Sequence, residues 1–351
     1  MPASLSSLEG FEAPANAWET EILPARIVDY EPAWLDAQCL SGQRTWARLV
    51  HPRVTNSRAH PTTPVRSTPI ALLERRRAPL WLSLANHSDE MHPSPQARTV
   101  ADCLATRGAL FFDELVEISR LLRTQVEEAL AKLVALGLVN SDSFGGLRAL
   151  LVPSAQRKPI GTVKRRGRVL SFGMEGAGRW SLIRRNTEQE TAVAIEHVAR
   201  TLLRRYGVVF WRLLTREASW LPPWRDLLRI YRRLEARGEI RGGRFVAGFS
   251  GEQYALSEAI GLLRKMRRDA AADQWVSLSG ADPLNLTGIL IPGPRLAALT
   301  RNRVVYRDGL PIAVLSGGSV QFLVALGAAE QWEAQKRLLR SATPMLMADL
   351  G

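Results

Sequence analysis

Two stretches of the chain share one pattern of apolar and polar positions. The first is VEEALAKLVALGLVNSDSFGGLRALLV, from Val126 to Val152, and the second is WRDLLRIYRRLEARGEIRGGRFVAGF, from Trp224 to Phe249. Leu122, Val126, Leu130 and Leu133 recur at helical spacing in one, as do Leu227, Leu228, Tyr231 and Leu234 in the other, which predicts amphipathic helices. Each helix is expected to stop at a glycine, Gly137 or Gly238, because glycine takes the left-handed conformation that closes a helix without steric cost. A short apolar run, a glycine pair (Gly145-Gly146 or Gly242-Gly243) and a second short run follow, predicting strand, turn, strand.

Helix, strand, glycine turn, strand is how a winged helix-turn-helix domain ends, with its last helix suited to a nucleic-acid groove and its wing to the backbone beside it. Upstream helices complete both modules: Ala97 to Thr106, Phe112 to Ser119 and Leu122 to Leu136 in one, and Thr191 to Tyr206, Phe210 to Thr215 and the helix from Trp224 in the other. A weaker copy occupies the start of the chain. AWETEILPARI reads as helical with Pro24 bending or ending it, EPAWLDAQCL as a helix with Pro32 in its first turn, and SGQRTWARLV follows with Ser41 as a possible cap. PIALLE and APLWLSL then read as two strands joined by Arg75-Arg76-Arg77. Past Gly261–Ala272, a basic helix, the period changes. WVSLSG, LTGILI, RVVYRDGLPIAVLSG and GSVQFLVAL read as strands, Asp308-Gly309 as a hairpin turn, and EQWEAQKRLLRSA as a last helix.

The predicted class is therefore α+β: tandem winged-helix domains followed by a small β-barrel domain. The predicted divisions are a winged-helix-like module over 1–92, a second over 93–155, a basic linker over 156–187, a third module over 188–256, and a basic helix, barrel and C-terminal helix and tail over 257–351.

Charge narrows the function. Of 351 residues, 47 are Lys or Arg and 34 Asp or Glu, a formal net charge of +13, which favours a polyanionic partner. Lysine is confined to Lys132, Lys158, Lys164, Lys265 and Lys336, so arginine carries nearly all of it, and arginine grips phosphate and guanine with a planar fork. A GC-rich coding sequence would give the same bias. The two cysteines, Cys39 and Cys103, have neither CxxC spacing nor a disulfide framework. No apolar run reaches the ~18 residues of a membrane span, and MPASLSSLEGFEAP lacks a signal pattern. A cytoplasmic, membrane-free protein is expected. His51, His60, His87, His92 and His197 show no metal-ligand spacing, so neither metal nor cofactor is expected.

Four arginines, Arg225, Arg229, Arg232 and Arg233, point away from or flank the apolar face of the Trp224 helix. With only Asp226 and Glu235 close in sequence, they cannot all be paired locally, and this makes the best recognition helix in the chain, against the alternative of a solvated face. Lys164, Arg165, Arg166 and Arg168 form the densest basic cluster, either a backbone clamp or a solubilising linker. Arg76 at the tip of the first wing is a phosphate candidate, against an exposed solvated turn.

The blocks GFEAPANAWETEILPARIVDYEPAWLDAQCLSGQRTWARL, RRYGVVFWRLLTREASWLPPWRDLLRIYRRLEARGEIRGGRFVAGFSGEQYAL and GADPLNLTGILIPG, the last followed by NRVVYRDGLPIAVL, span about residues 10–320. They resemble the region behind the motor in Lhr-type large helicase-related proteins of bacteria. The resemblance implies winged-helix and β-barrel modules that grip nucleic acid behind two RecA-like ATPase domains. Its partners would be single-stranded or forked DNA or an RNA–DNA hybrid, and a separate helicase motor polypeptide. This chain has no GxxxxGK[ST] loop and no DExH-type motif, and GTVKRRGR has neither the spacing nor the hydroxyl of a phosphate loop. It is expected to be the gripping end of a helicase without its ATPase: a fragment, a split-gene product or a remnant.

The same resemblance implies two further roles. Long Lhr proteins are linked to DNA repair, with uracil DNA glycosylase activity in their C-terminal part, and this offers Asp349 in MLMADLG as a catalytic carboxylate, against a solvated tail. Asp282 in GADPLNL is a second candidate, against a structural Asp-Pro turn. Trp46, flanked by Arg44 and Arg48, is the first choice for stacking on a base, a contact worth ~1–3 kcal/mol. Trp34, Trp211 and Trp224 read as core residues.

Overall fold

The computed structural model describes residues 2–50, 65–85, 93–152, 173–185 and 190–339. In chain order the first part runs α1 (Pro2–Ser7), β1 (Ala13–Pro14), a π-helical turn (Trp18–Ile22), α2 (Pro32–Leu40), β2 (Arg44–Ala47), β3 (Pro69–Glu74) and α3 (Ala78–Leu84). Next come α4 (Pro95–Arg107), α5 (Phe112–Ser119), α6 (Arg123–Leu136), β4 (Val139–Ser141), α7 (Phe144–Leu151) and β5 (Trp180–Leu182). Then follow α8 (Thr191–Tyr206), β6 (Val208–Val209), a 3-10 turn (Trp211–Arg216), α9 (Trp224–Ala236), β7 (Arg241–Gly243), β8 (Gln253–Ala255) and α10 (Ser257–Arg268). The last described elements are β9 (Trp275–Ser279), β10 (Arg303–Arg307), β11 (Leu310–Ser316), β12 (Ser319–Phe322) and α11 (Ala328–Leu339).

These elements form two compact units. One contains residues 14–16 and 31–189, the other 1–13, 17–30 and 190–351. The division by sequence pattern was linear, whereas most of the first 30 residues pack with the C-terminal half.

In the unit of residues 31–189, α4, α5 and α6 form where periodicity places helices. Pro95 starts α4 behind Ser94, whose hydroxyl accepts the amide of Ala97, and Gly137 ends α6 at φ +72°. Val126, Leu130 and Leu133 are buried, while Leu122 sits exposed at the N-cap. Two expected strands are helices instead. APLWLSL folds as α3, for which Pro79 in the first turn is pre-set. Phe144–Leu151 folds as α7, with Gly145-Gly146 in its first turn. The Gly145 amide donates to the Asp36 carboxylate at 2.7 Å, and Arg148 of the same helix pairs with Asp36 at 2.9 Å, so one carboxylate caps α7. The strand partner of β4 is β5, from within the expected linker, with Val139 opposite Leu182 and Ser141 opposite Trp180. Leu110 bridges to Trp180 on the other side.

In the other unit, α8, the 3-10 turn and α9 are followed by the antiparallel β7–β8 hairpin, with β6 on the far side of β8. Leu227, Ile230, Tyr231 and Leu234 bury the inner face of α9. Gly242 and Gly243 lie in β7 rather than at a turn, and residues 244–252 form the tip of the wing.

The expected barrel is an open antiparallel sheet in the order β12-β11-β10-β9. Four strands are too few to close around a filled interior, so each face is covered by other elements. Val305, Ile312 and Ala313 pack with Ala334 and Leu338 of α11, while Leu278, Val304 and Val314 pack with Ala25 and Leu296. Asp308 and Gly309 both have positive φ, +48° and +81°, which makes the expected hairpin turn. LTGILI is turns, not strand: Gly288, at φ +70°, lies so close to the backbone of Gly293–Arg295 that a Cβ would meet it at 2.9 Å.

Buried charges tie the N-terminal segment into this unit. Arg26 holds Asp282 bidentately at 2.6 and 2.8 Å, Arg303 meets Glu21 at 2.5 Å, and Arg205 reaches Glu217 and the carbonyl of Ser7.

Candidate nucleic-acid interface

Helix α9 starts after Pro222-Pro223, which cannot lie in a helix interior, and its apolar positions fix which face turns inward. Tyr231 anchors that face. Its ring stacks on Tyr254 of β8 at 5.4 Å and meets Trp224 at 5.7 Å, and its hydroxyl donates to the carbonyl of Ala199 on α8. Burial raises the Tyr231 phenol above its ordinary range, so it stays a neutral donor. The pinned inner face leaves the arginines outward.

The exposure of those arginines grades along the helix. Arg225 and Arg229 are 81% and 78% exposed, and both lean on the single carboxylate of Asp226 at 3.6 and 3.4 Å. Arg232 pairs with Glu252 on the wing, and Arg233 reaches Glu196 of α8 at 2.8 Å. The local carboxylates thus do not serve all four arginines. Each arginine has an acidic neighbour, because Glu252 and Glu196, remote in sequence, are brought in by the fold. The pairs are not equal. Hydrogen bonds from Arg232 and then Tyr254 hold the Glu252 carboxyl below the usual range, and Arg200 with Arg233 does the same for Glu196. Arg225 and Arg229 share one carboxylate in water, where such contacts contribute little.

The wing adds charge that periodicity did not single out. Arg241 and Arg244 are exposed on it, and α10, the basic helix expected from the sequence, presents Arg264, Lys265, Arg267 and Arg268; none forms an ion pair among the described residues. Arginines alternating with glycines in RGGRF were the available signal, but the glycine pair was read as a turn.

Elsewhere the structure redistributes the candidates. Trp46 is fully buried in β2, edge-on to Phe144 and Trp180 at 6.5 and 6.3 Å, with its indole N–H donated to the carbonyl of Ser143 at 3.0 Å. It presents no ring face to a base, which corrects the stacking expectation. Arg44 is buried opposite Glu74. Arg76 is exposed between β3 and α3. Trp34 and Trp211, expected in the core, are 38% and 48% exposed. Asp282 is 1% exposed. Beyond Arg26, its carboxylate accepts the amide of Leu284, and its backbone carbonyl accepts Arg216, so every visible contact is structural. Arg165, Arg166 and Asp349 lie outside the described residues. His197 is buried against Glu9 at 3.2 Å. No group of three or more potential metal ligands occurs among the described residues, and no helix there is long and apolar enough to cross a membrane.

An exposed arginine helix beside a basic wing defines a winged-helix architecture of the kind that meets nucleic acid. Residues 188–275, which contain it, match the family profile of the fourth winged-helix domain of large helicase-related (Lhr) proteins, and residues 1–73 match that of the third. The chain is 28% identical over 373 residues to the Lhr helicase/uracil glycosylase of Escherichia coli (strain K12), an alignment covering 95% of this chain and 22% of that protein. It is 26% identical over 338 residues to the Lhr helicase/probable uracil glycosylase of Mycolicibacterium smegmatis, covering 91% and 21%. The chain thus spans about a fifth of the length of these curated relatives. Its resemblance to the post-motor, C-terminal region of Lhr-type proteins holds, with the third and fourth winged-helix domains at the positions given.

Proposed function

We propose that the chain is a DNA-gripping portion of an Lhr-type ATP-dependent helicase, holding single-stranded DNA beside a motor that lies outside this sequence. The observation that carries this reading is the pair Arg225 and Arg229, highly exposed, sharing one carboxylate, on a helix whose inner face is locked by Tyr231. Phosphate oxygens can displace Asp226 at little cost, because the pairs are solvated. Contacts of this kind are indifferent to sequence and fall off with salt. The test is fluorescence anisotropy with a single-stranded oligodeoxynucleotide across a salt series. Arg225→Gln with Arg229→Gln is expected to weaken binding equally on unrelated sequences and to flatten the salt slope by ~1.4, about 0.7 per lost phosphate contact. Wild-type affinity insensitive to salt, or a loss confined to one sequence, would overturn the reading.

The names of both relatives couple helicase with uracil glycosylase. For this chain base excision depends on Asp349, and the reading is decided by alkali-revealed cleavage of a uracil-containing strand and its loss in Asp349→Ala.

A further inference from the structure

Between the wing and α10 lies a groove of roughly 440 Å³, lined by Arg241, Gly242, Phe245, Ser257, Ile260, Gly261 and Arg264. Its volume is in the range of sites that take small organic groups. The chemistry of its walls is mixed in an ordered way. One side is aromatic, the half-exposed ring of Phe245, and Arg241 and Arg264 bring two guanidinium groups with no ion pair among the described residues. The Glu235 carboxylate accepts the Gly242 amide at 2.9 Å, and Glu258 lies in the first turn of α10.

The groove is open at Gly261. A Cβ on Gly261 would meet nothing within 4 Å, so that turn of α10 faces empty space. Gly261 also sits mid-helix without a positive φ, where alanine would suit the helix better by ~1 kcal/mol. Phe245 is held in place from behind, its amide and that of Val246 both donating to Gln253 Oε1, while Gln253 Nε2 donates to the Val246 carbonyl. The ring is therefore presented by a fixed loop.

We propose that this groove is a nucleotide subsite for single-stranded DNA, in which one unpaired base lies on Phe245 and the flanking phosphates are held by Arg241 and Arg264. A duplex would not fit the chemistry, since a stacked, paired base offers no free face to the ring, whereas every unpaired base does. The subsite rests on the DNA-gripping reading above and adds a second point of contact beyond Arg225 and Arg229. Glu235, at the edge of the groove, is ten residues along the same helix from Arg225, ~15 Å by helical rise, so the two contacts address different nucleotides of one strand.

The test uses the full chain, a labelled single-stranded oligodeoxynucleotide and a matched abasic strand. Phe245→Leu is expected to lose about tenfold in affinity on the natural strand and nothing on the abasic one, because only the base is stacked. Arg241→Gln with Arg264→Gln should flatten the salt slope by ~1.4 on both strands. Gly261→Ala should bind as the native chain does, and Gly261→Glu should lose affinity, with circular dichroism confirming that both fold. Equal loss by Phe245→Leu on the two strands would overturn the stacked base, and undiminished binding in Gly261→Glu would overturn the groove. If the groove variants are neutral while Arg225→Gln with Arg229→Gln weakens binding, the subsite falls and the helicase reading stands. If the α9 pair is neutral as well, that reading falls too.

Discussion

The two modules that share a sequence pattern put the same sheet to different uses. In the module of residues 95–182 the strand order is Leu110, β5, β4; in that of residues 191–255 it is β6, β8, β7. The order matches. What differs is the excursion between the last two strands, residues 142–179 in the first and 244–252 in the second. In the first its described residues contain α7, whose Phe144 packs edge-on against Trp46; in the second it is a short solvated wing bearing Arg241 and Arg244 at its base. One scaffold thus carries an insulating core in one place and a basic surface in the other. The pattern of apolar positions reports the scaffold and says little about which use is made of it.

Removing Trp46 should have the largest effect on this contrast. Trp46→Ala deletes a fully buried indole and leaves the Ser143 carbonyl with the Ser141 hydroxyl alone, a loss of ~3–5 kcal/mol, seen as a lower midpoint in urea. Were Trp46 a stacking residue, the same change would leave stability nearly untouched and weaken DNA binding instead.

Asp282 tests the second module from its anchoring side, since Arg216, at the end of its 3-10 turn, donates to the Asp282 carbonyl. Asp282→Ala leaves Arg26 buried without its counter-ion, a penalty of ~3–5 kcal/mol. Thermal unfolding should show it. A native melting curve with lost base excision would reverse the assignment from structure to chemistry.

The glycine pairs offer a sharper contrast, because identical dipeptides sit in different surroundings. A Cβ at Gly146 would lie 2.2 Å from the Ser141 hydroxyl and 3.1 Å from the Ala177 carbonyl, inside a packed core. At Gly242 it would meet the Glu235 carboxylate at 2.4 Å, the mobile end of an exposed side chain. Gly146→Ala should therefore cost ~1–3 kcal/mol, and Gly242→Ala distinctly less, by chemical denaturation of the two variants. Equal costs would mean the two excursions are packed alike.

How far the sequence foretells this follows from where each signal is stored. Helices α5, α6, α8 and α9 were legible because apolar spacing and the flanking glycines and prolines are local. So was the Asp308-Gly309 turn. The partner of β4 was not, since β5 lies some forty residues on, inside a stretch whose basic composition reads as linker. The burial of Trp46 was equally hidden: RTWAR looks like a basic aromatic contact, and only the arrival of Phe144 and Trp180 makes it core. On α9, the apolar face was legible, but the counter-ions Glu196 and Glu252 come from other elements, so the degree of pairing was not.

The smallest expected effect concerns that pairing. On the proposed DNA-gripping reading Glu252 would compete with phosphate for Arg232, and its carboxyl is held below the ordinary range by the hydrogen bonds of Arg232 and Tyr254. A depressed carboxyl pKa means the pair is complete above the usual carboxylate range and is lost only as pH falls through the lowered value. Between pH 6 and 8 Glu252 is thus fully ionised, and it contributes no pH dependence there. Glu252→Gln keeps the shape and removes the charge, freeing Arg232 for the DNA backbone. Affinity for single-stranded DNA should rise by roughly two- to fivefold, the order of one exposed ion pair, with the gain constant from pH 6 to 8 and shrinking at high salt. Anisotropy at three pH values measures it. A fall in affinity would mean that Glu252 orders the wing for binding rather than masking its cation, and would turn the comparison between a quiet core excursion and a charged wing into one between two structural loops.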